Sequence, residues 1–157
     1  MRVLFLSVGK TQTPWIQAGI DLYEDRLGHY CTFERKELPD IKSKANLSQH
    51  QIKEMEGTAL LKCIGAADEV VLLDERGIEQ SSEVWAKHLE KKMIHGVSSM
   101  VFVAGGAYGF SPALYARANE QRALSRLTFS HQMVRVLFME QLYRCFTIIK
   151  GESYHHP

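Results

Sequence analysis

What most restricts the fold of this chain is a recurring pairing of a short apolar run with a capped amphipathic segment. Arg2 to Val8 reads as a buried strand ended by Gly9, and Thr13-Pro14 then supplies an N-cap and a proline at the first helical position. Ile16, Ile20, Tyr23 and Leu27 give the following helix one apolar face, with Gly28 placed to stop it. Cys31 to Leu38 is a second strand, and the polar stretch Pro39 to Leu47 is a loop suited to act as a lid. Ser48-Gln49-His50-Gln51 forms a capping box before a helix whose stripe is Ile52, Met55, Ala59 and Cys63, weakened slightly by Gly57. Glu69 to Leu73 is a third strand ending at Asp74, with Glu75-Arg76-Gly77 as its turn. Ser81-Ser82 cap a helix running to His95 and closed by Gly96. Ser99 to Ala104 is a fourth strand leading straight into Gly105-Gly106-Ala107-Tyr108-Gly109, and Ser111-Pro112 starts another helix. Leu124 to Phe129 is the last strand candidate.

This alternation predicts an α/β fold with a mostly parallel sheet and helices on both faces. A chain of 157 residues with 45% hydrophobic content suits one such domain over 1–157. Ligands of open parallel sheets bind beyond the carboxyl ends of the strands. Three segments therefore become one candidate site: Leu73-Asp74, Gly105 to Phe110, and Leu124 to His131.

Gln132 to Ile149 departs from the amphipathic pattern, since Met133, Val134, Val136, Leu137, Phe138, Met139, Leu142, Tyr143, Phe146, Ile148 and Ile149 cover nearly every face. Such a helix must be covered on more than one side. A second subunit is an economical cover, so a homodimer through this helix is expected. Val3 to Val8 is too short to span a bilayer or to serve as a secretion signal, so a cytoplasmic protein with no membrane partner is expected. Cys31, Cys63 and Cys145 show neither a disulfide framework nor zinc-ligand spacing, and no metal is expected. Net charge is +1 overall, but residues 1–100 carry −2 and residues 101–157 carry +3. Arg117, Arg122, Arg126, Arg135, Arg144 and Lys150, with His131, His155 and His156, are candidates for a polyanion-facing surface or for an ordinary solvated face.

Glycines at 105, 106 and 109 allow close backbone approach to a ligand, or simply a tight strand-to-helix turn. A dinucleotide fingerprint would follow the first strand, and a P-loop would continue into Lys-Ser or Lys-Thr; neither holds here. More specific is the run Leu124-Ser125-Arg126-Leu127-Thr128-Phe129-Ser130-His131-Gln132-Met133-Val134-Arg135-Val136, followed by Glu140-Gln141-Leu142-Tyr143-Arg144 and the tail Gly151-Glu152-Ser153-Tyr154-His155. Together with the glycine turn and the opening Val8-Gly9-Lys10, it strongly resembles the RlmH family of SPOUT-class ribosomal RNA methyltransferases along the whole chain.

That resemblance implies transfer of a methyl group from S-adenosyl-L-methionine, without a metal, to N3 of a pseudouridine in helix 69 of 23S ribosomal RNA on assembled ribosomes. It also implies a C-terminal trefoil knot, against the general rarity of knots, and a homodimer whose active site is completed by the partner. Carried over by matching motif, the cofactor-binding residues are Leu73, Gly105, Leu124, Ser125, Arg126, Leu127, Thr128 and Phe129. Asp74 suits the ribose hydroxyls or the methionine ammonium, and equally an ordinary turn cap.

Methyl transfer is an in-line displacement in which alignment contributes much of the rate, yet the imide nitrogen must lose its proton. The candidates are His131, Arg135 and Tyr154. His131 is either a base or a capping residue. Arg135 either steadies an imidate oxygen or phosphate, or pairs with Glu140 or a partner subunit. Tyr154, carried by the partner's tail, is read as stacking on or orienting the uridine. His156-Pro157 departs from family tails that end in Arg or Lys, which weakens a cationic contact there. A non-catalytic RNA- or nucleotide-binding module and a flavodoxin-like protein are the other readings of the same pattern.

Overall fold

The computed structural model describes residues 1–41 and 47–156, so the lid reading of 39–47 falls largely outside the described residues. Five parallel strands form one sheet in the order β2-β1-β4-β3-β5: β1 (Arg2–Val8), β2 (Thr32–Leu38), β3 (Glu69–Glu79), β4 (Ser99–Ala104) and β5 (Glu120–Ala123). Five helices connect and follow them: α1 (Pro14–Gly28), α2 (Gln49–Leu61), α3 (Ser82–Ile94), α4 (Pro112–Arg117) and α5 (Met133–Lys150).

Strand alternation divides the core in two. Val3, Phe5, Val71, Phe102 and Ala104 face α1, α3 and α5, where Ile20, Trp85, Phe138, Met139 and Phe146 fill the layer. Leu4, Leu6, Leu72, Val101 and Val103 face the opposite way, toward Leu60 of α2 and Leu114 of α4. The expected α/β sheet with helices on both faces is what forms.

Local signals set several boundaries. The Ser48 capping box is complete, with the Gln51 amide donating to the Ser48 hydroxyl and the Gln51 side chain accepting from the Ser48 amide. Ser81 and Ser111 cap α3 and α4 in the same sense. Helix α1 runs through Gly28, which is its last residue and not its stop; His29 is the C-cap.

Three expectations are corrected. The stretch Leu124 to Phe129 is irregular, and the last strand is the preceding Glu120–Ala123. That strand has no apolar alternation of its own and exists because β3 offers it a ladder. Second, β3 does not turn at Glu75-Arg76-Gly77 but continues to Glu79, with Arg122 of β5 paired first to Leu73 and then to Ile78. The four intervening residues, 74–77, bulge out of the ladder. Gly77 permits this, because a Cβ there would stand 2.6 Å from the Arg122 amide nitrogen. Third, α2 buries Ile52, Glu56, Gly57 and Leu60, leaving Met55 exposed. Gly57 is a packing requirement there: a Cβ would meet the Ser111 hydroxyl at 2.1 Å.

Helix α5 lies between α1 and α3 against the sheet, and the chain then reverses at Gly151, whose φ of +69° is left-handed. The segment that follows folds back onto α5. Much of the cover that an all-round apolar helix requires is therefore supplied by its own chain. The candidate polyanion-facing cations also scatter: Arg122 and Arg135 are buried, Arg117 donates to the carbonyls of Gly65 and Asp68, and Arg144 pairs with Glu140.

Candidate functional site

All strands being parallel, their carboxyl ends lie on one edge, and there the ends of β3 and β4 and the segment after β5 enclose a cavity of about 750 Å³. Leu73, Gly105, Leu124, Ser125, Leu127, Thr128, Phe129 and His131 all line it. Arg126 does not; it is 89% exposed and pairs with Glu79 at 3.2 Å. The volume falls within the roughly 300–1,000 Å³ usual for small-ligand sites.

Each wall has a structural cause. Gly106 and Gly109 form a narrow turn, with the Gly109 amide donating to the Gly106 carbonyl at 3.2 Å and Gly109 at φ +77°. Ala107 and Tyr108 stand at its tip, and Tyr108 is 43% exposed on the cavity rim. A Cβ at Gly105 would lie 3.2 Å from the Phe110 ring, so this position stays slim because an aromatic packs behind it. The loop after β5 is shaped by its own side chains: the Ser125 hydroxyl accepts from the Leu127 amide, and the Thr128 hydroxyl donates to Glu75 at 2.6 Å. Leu127, 70% exposed, presents an apolar surface at the mouth.

The β3 bulge supplies polar groups. Asp74 accepts from the Arg76 amide at 2.9 Å and from the Tyr115 hydroxyl. Burial, reinforced by this bond, pushes the Tyr115 phenol up to about 12, so it acts as a donor that steadies Asp74. Gln49 and Lys53 of α2 close another side. Sequence reasoning missed Lys53, Arg76 and Tyr115 as lining residues, whereas Tyr108 lies inside the expected Gly105 to Phe110 segment. Lys53 and Tyr115 carry no sequence signal, because tertiary packing alone brings α2 and α4 to this edge.

The three catalytic candidates separate. His131 is exposed and lines the cavity just before α5. Arg135 is fully buried, and its guanidinium donates to the Val8 carbonyl at 2.7 Å, the Thr11 hydroxyl at 2.8 Å, Glu37 at 3.0 Å and the His131 carbonyl at 3.0 Å. Its ion partner is Glu37, not Glu140, which pairs instead with Arg144. Arg135 thus reaches no ligand from this position; it ties the His131 turn to the end of β1. Gln132 adds to the tie, its side-chain oxygen accepting from the amides of Gln12 and Thr13.

Tyr154 does not line the cavity of its own chain. It packs edge-on to Tyr143 with ring centroids 4.8 Å apart, beneath the Arg144 guanidinium, and donates to Glu140 at 3.2 Å. Burial, with the neighbouring Tyr23 hydroxyl and Glu140, raises its phenol well above the ordinary value, so it remains protonated. His155 completes the clasp between Arg144 and Glu83. The cavity meets the start of α5 at Val134, whereas this cluster holds its middle turns at Glu140, Tyr143 and Arg144, about 9–15 Å further along the axis.

Among the described residues no group of three or more His, Cys, Asp or Glu side chains is arranged to hold a metal, and no helix is long and apolar enough to cross a membrane. The profile of the family described as "Predicted SPOUT methyltransferase" matches residues 1–155. Curated relatives named "Ribosomal RNA large subunit methyltransferase H" include those of Christiangramia forsetii and Parabacteroides distasonis, each 47% identical over 156 residues and covering 99% of both chains. That of Geotalea daltonii is 48% identical over 156 residues, covering 99% of this chain and 100% of the relative.

Proposed function

The chain belongs to the SPOUT methyltransferase family, and from that membership we propose that it methylates large-subunit ribosomal RNA using S-adenosyl-L-methionine, at N3 of a pseudouridine in helix 69 of 23S rRNA on assembled ribosomes in the cytoplasm. The carrying observation is the meeting of three separate strand ends in one cavity. Leu73, Gly105 and five of the six residues from Leu124 to Phe129 line it. The knot of this family goes with the same reading.

The lining fits the cofactor. Leu73, Leu124, Leu127 and Phe129 offer apolar surface for an adenine, and the slim Gly105-Gly106 backbone offers polar groups without side chains in the way. Asp74, steadied by Tyr115, offers acceptors for ribose hydroxyls, while Lys53 and Arg76 offer cations for a carboxylate. S-adenosylmethionine supplies an electrophilic methyl group on a sulfonium. The protein's own contribution is alignment and proton handling. His131, at the rim, takes the proton from N3 of the pseudouridine, and Arg135 holds His131 in register through its carbonyl.

Tyr154 acts from the partner subunit. It is clasped by Glu140, Tyr143 and Arg144, about 9–15 Å along α5 from the cavity-lining Val134 of its own chain, and its protonated phenol suits it to orient the uridine rather than to act as base. A homodimer through α5 is supported by the partly exposed Val136 and Leu137 of that helix beside the exposed Trp15 and Leu22 of α1.

Mass mapping of 23S rRNA from a strain lacking the gene tests the substrate: the helix 69 pseudouridine is expected to lose one methyl group, and an unchanged map would sink the assignment. Subunit mixing tests the shared site. A chain truncated after Gly151 and a full-length Thr128→Trp chain, whose cavity is filled, are each expected to be inactive alone and to recover partial activity when mixed. No recovery despite mixed dimers in solution would refute the shared site.

A further inference from the structure

Behind the glycine turn stands a carboxylate that the proposed reaction does not use. Glu56 lies on the buried face of α2, one turn beyond the cavity-lining Lys53, and is 7% exposed. Among the described residues its Oε2 has no hydrogen-bond partner. A Cβ at Gly106 would lie 2.5 Å from that oxygen, so a single layer of glycine backbone separates the carboxylate from the cavity that Gly106 lines. Among the described residues no basic side chain forms an ion pair with Glu56; Asp40, after β2, acts on it with the same sign. Burial, then Asp40, pushes its carboxyl above the ordinary range.

A buried carboxylate without a counter-charge is costly, and a cation on the far side of one backbone layer relieves that cost. We propose that Glu56 is the counter-charge with which this site distinguishes the sulfonium of S-adenosylmethionine from the neutral thioether of the product S-adenosylhomocysteine. The proposal rests on the cofactor reading above and adds a specificity-determining residue to it. The two ligands share the adenosine, the ammonium and the carboxylate, so a field that reads the sulfur charge changes their ratio and not their common affinity. Tight binding of the donor and ready loss of the product follow from one residue that touches neither.

The test is calorimetry of both ligands with the full-length protein and its Glu56→Gln variant. With one backbone layer between the charges and an effective dielectric of about 20, loss of the carboxylate is expected to weaken S-adenosylmethionine binding by roughly ten-fold or more. S-adenosylhomocysteine is expected to change by no more than about two-fold on the same argument. Proton release provides a second readout. Because a nearby cation lowers a raised carboxyl pKa, S-adenosylmethionine binding expels a proton from the fraction of Glu56 that is protonated. Its affinity therefore rises with pH on the acid side, and titrations in buffers of different ionisation enthalpy count the proton. S-adenosylhomocysteine is expected to release none, and Glu56→Gln none with either ligand. Asp40→Asn, which keeps Glu56 and removes its like-charged neighbour, should retain the discrimination and move the pH response to lower pH.

Equal weakening of both ligands, an unchanged ratio in Glu56→Gln, or an unmoved pH response in Asp40→Asn overturns the proposal. Wild-type protein that binds neither ligand overturns the cofactor reading and this proposal with it, whereas wild type that binds both, with the ratio intact in the variant, overturns this proposal alone.

Discussion

Glu37→Gln is the substitution that most directly probes how the site is braced. Arg135 is 0% exposed, and Glu37 is its only ionic partner among the described residues, at 3.0 Å; Glu37 also pairs with Arg35 at 2.6 Å and accepts from Thr11. The amide keeps the shape and removes the charge, leaving a guanidinium in the core with hydroxyl and carbonyl acceptors alone. Removing one partner of a buried pair costs about 3–5 kcal/mol. Because Glu37 and Arg35 keep side-chain exposures of 17% and 16%, solvent screening reduces this to about 2–4 kcal/mol. In a domain of this size that lowers the melting temperature by about 4–16 °C.

The assay is urea and thermal unfolding of the variant beside Arg135→Met and the double variant. Arg135→Met takes the donor from the His131 and Val8 carbonyls and leaves Glu37 with Arg35 and Thr11 alone, and is expected to be destabilising in its own right. With both charges gone the core holds no orphan ion, so the double variant should be more stable than the sum of the singles by about 1–3 kcal/mol. A cost below about 1 kcal/mol for Glu37→Gln, or strict additivity, would refute the account of Arg135 as a buried brace.

Three further outcomes follow from the same structure. Gly77→Ala drives a Cβ to 2.6 Å from the Arg122 backbone, so equilibrium unfolding should report a loss of about 1–3 kcal/mol; a neutral result would show that the β3 bulge can widen without cost. Stability should fall in acid through Glu37 and Glu120. Burial raises both, but hydrogen bonds and nearby cations outweigh it and hold their folded-state carboxyls below the ordinary range. Their contribution is full above the unfolded carboxyl pKa and disappears as pH falls through the lower folded one; Glu37→Gln should flatten that acid limb of a pH series of urea melts, and an unchanged slope would contradict the shift. Burial pushes the thiols of Cys31 and Cys145 up to about 11 and about 12, so both should alkylate far more slowly in native than in unfolded protein at about pH 8, and rapid native labelling of Cys145 would refute its burial.

What could be read in advance depended on where each signal resides. Strands β1 and β4 are legible because their burial is continuous and each is closed by a glycine, and the Ser48, Ser81 and Ser111 caps are legible because a cap is a local hydrogen bond. Strand β5 was not, since Glu-Gln-Arg-Ala carries no period and only the extended β3 makes it a strand. The same displacement turned Leu124 to Phe129 from an expected strand into a loop. The face of α2 was misread because Glu56 and Gly57 look like surface and defect in sequence, while the packing of Ser111 and Gly106 demands small or buried partners at those positions. Arg135 was visible as a charge on an apolar helix, but its partner Glu37 lies 98 residues away, a distance no local pattern reports.

These misreadings converge on α5, which does more than cover the sheet. Its first turn is tied to β1 and the start of α1 through Arg135 and Gln132, and its middle turns clasp the tail through Glu140, Tyr143 and Arg144. On the proposed reading, transfer needs the His131 rim of one subunit and the Tyr154 tail of the other at a set separation. A helix anchored at its first turn and again at mid-length supplies that separation as a fixed length, whereas an amphipathic surface helix of the same span would leave its outer face free to tilt. The all-round apolar character then has a cause beyond burial: one face meets the sheet, two flanks meet α1 and α3, with Val136 against Gly19 of α1, and on the proposed dimer the partly exposed Leu137 is what remains for the partner. A loosened Arg135 would accordingly impair transfer more than cofactor binding, because the loops at Leu73, Gly105 and Leu124 to Phe129 are held by β3, β4 and β5 and not by α5.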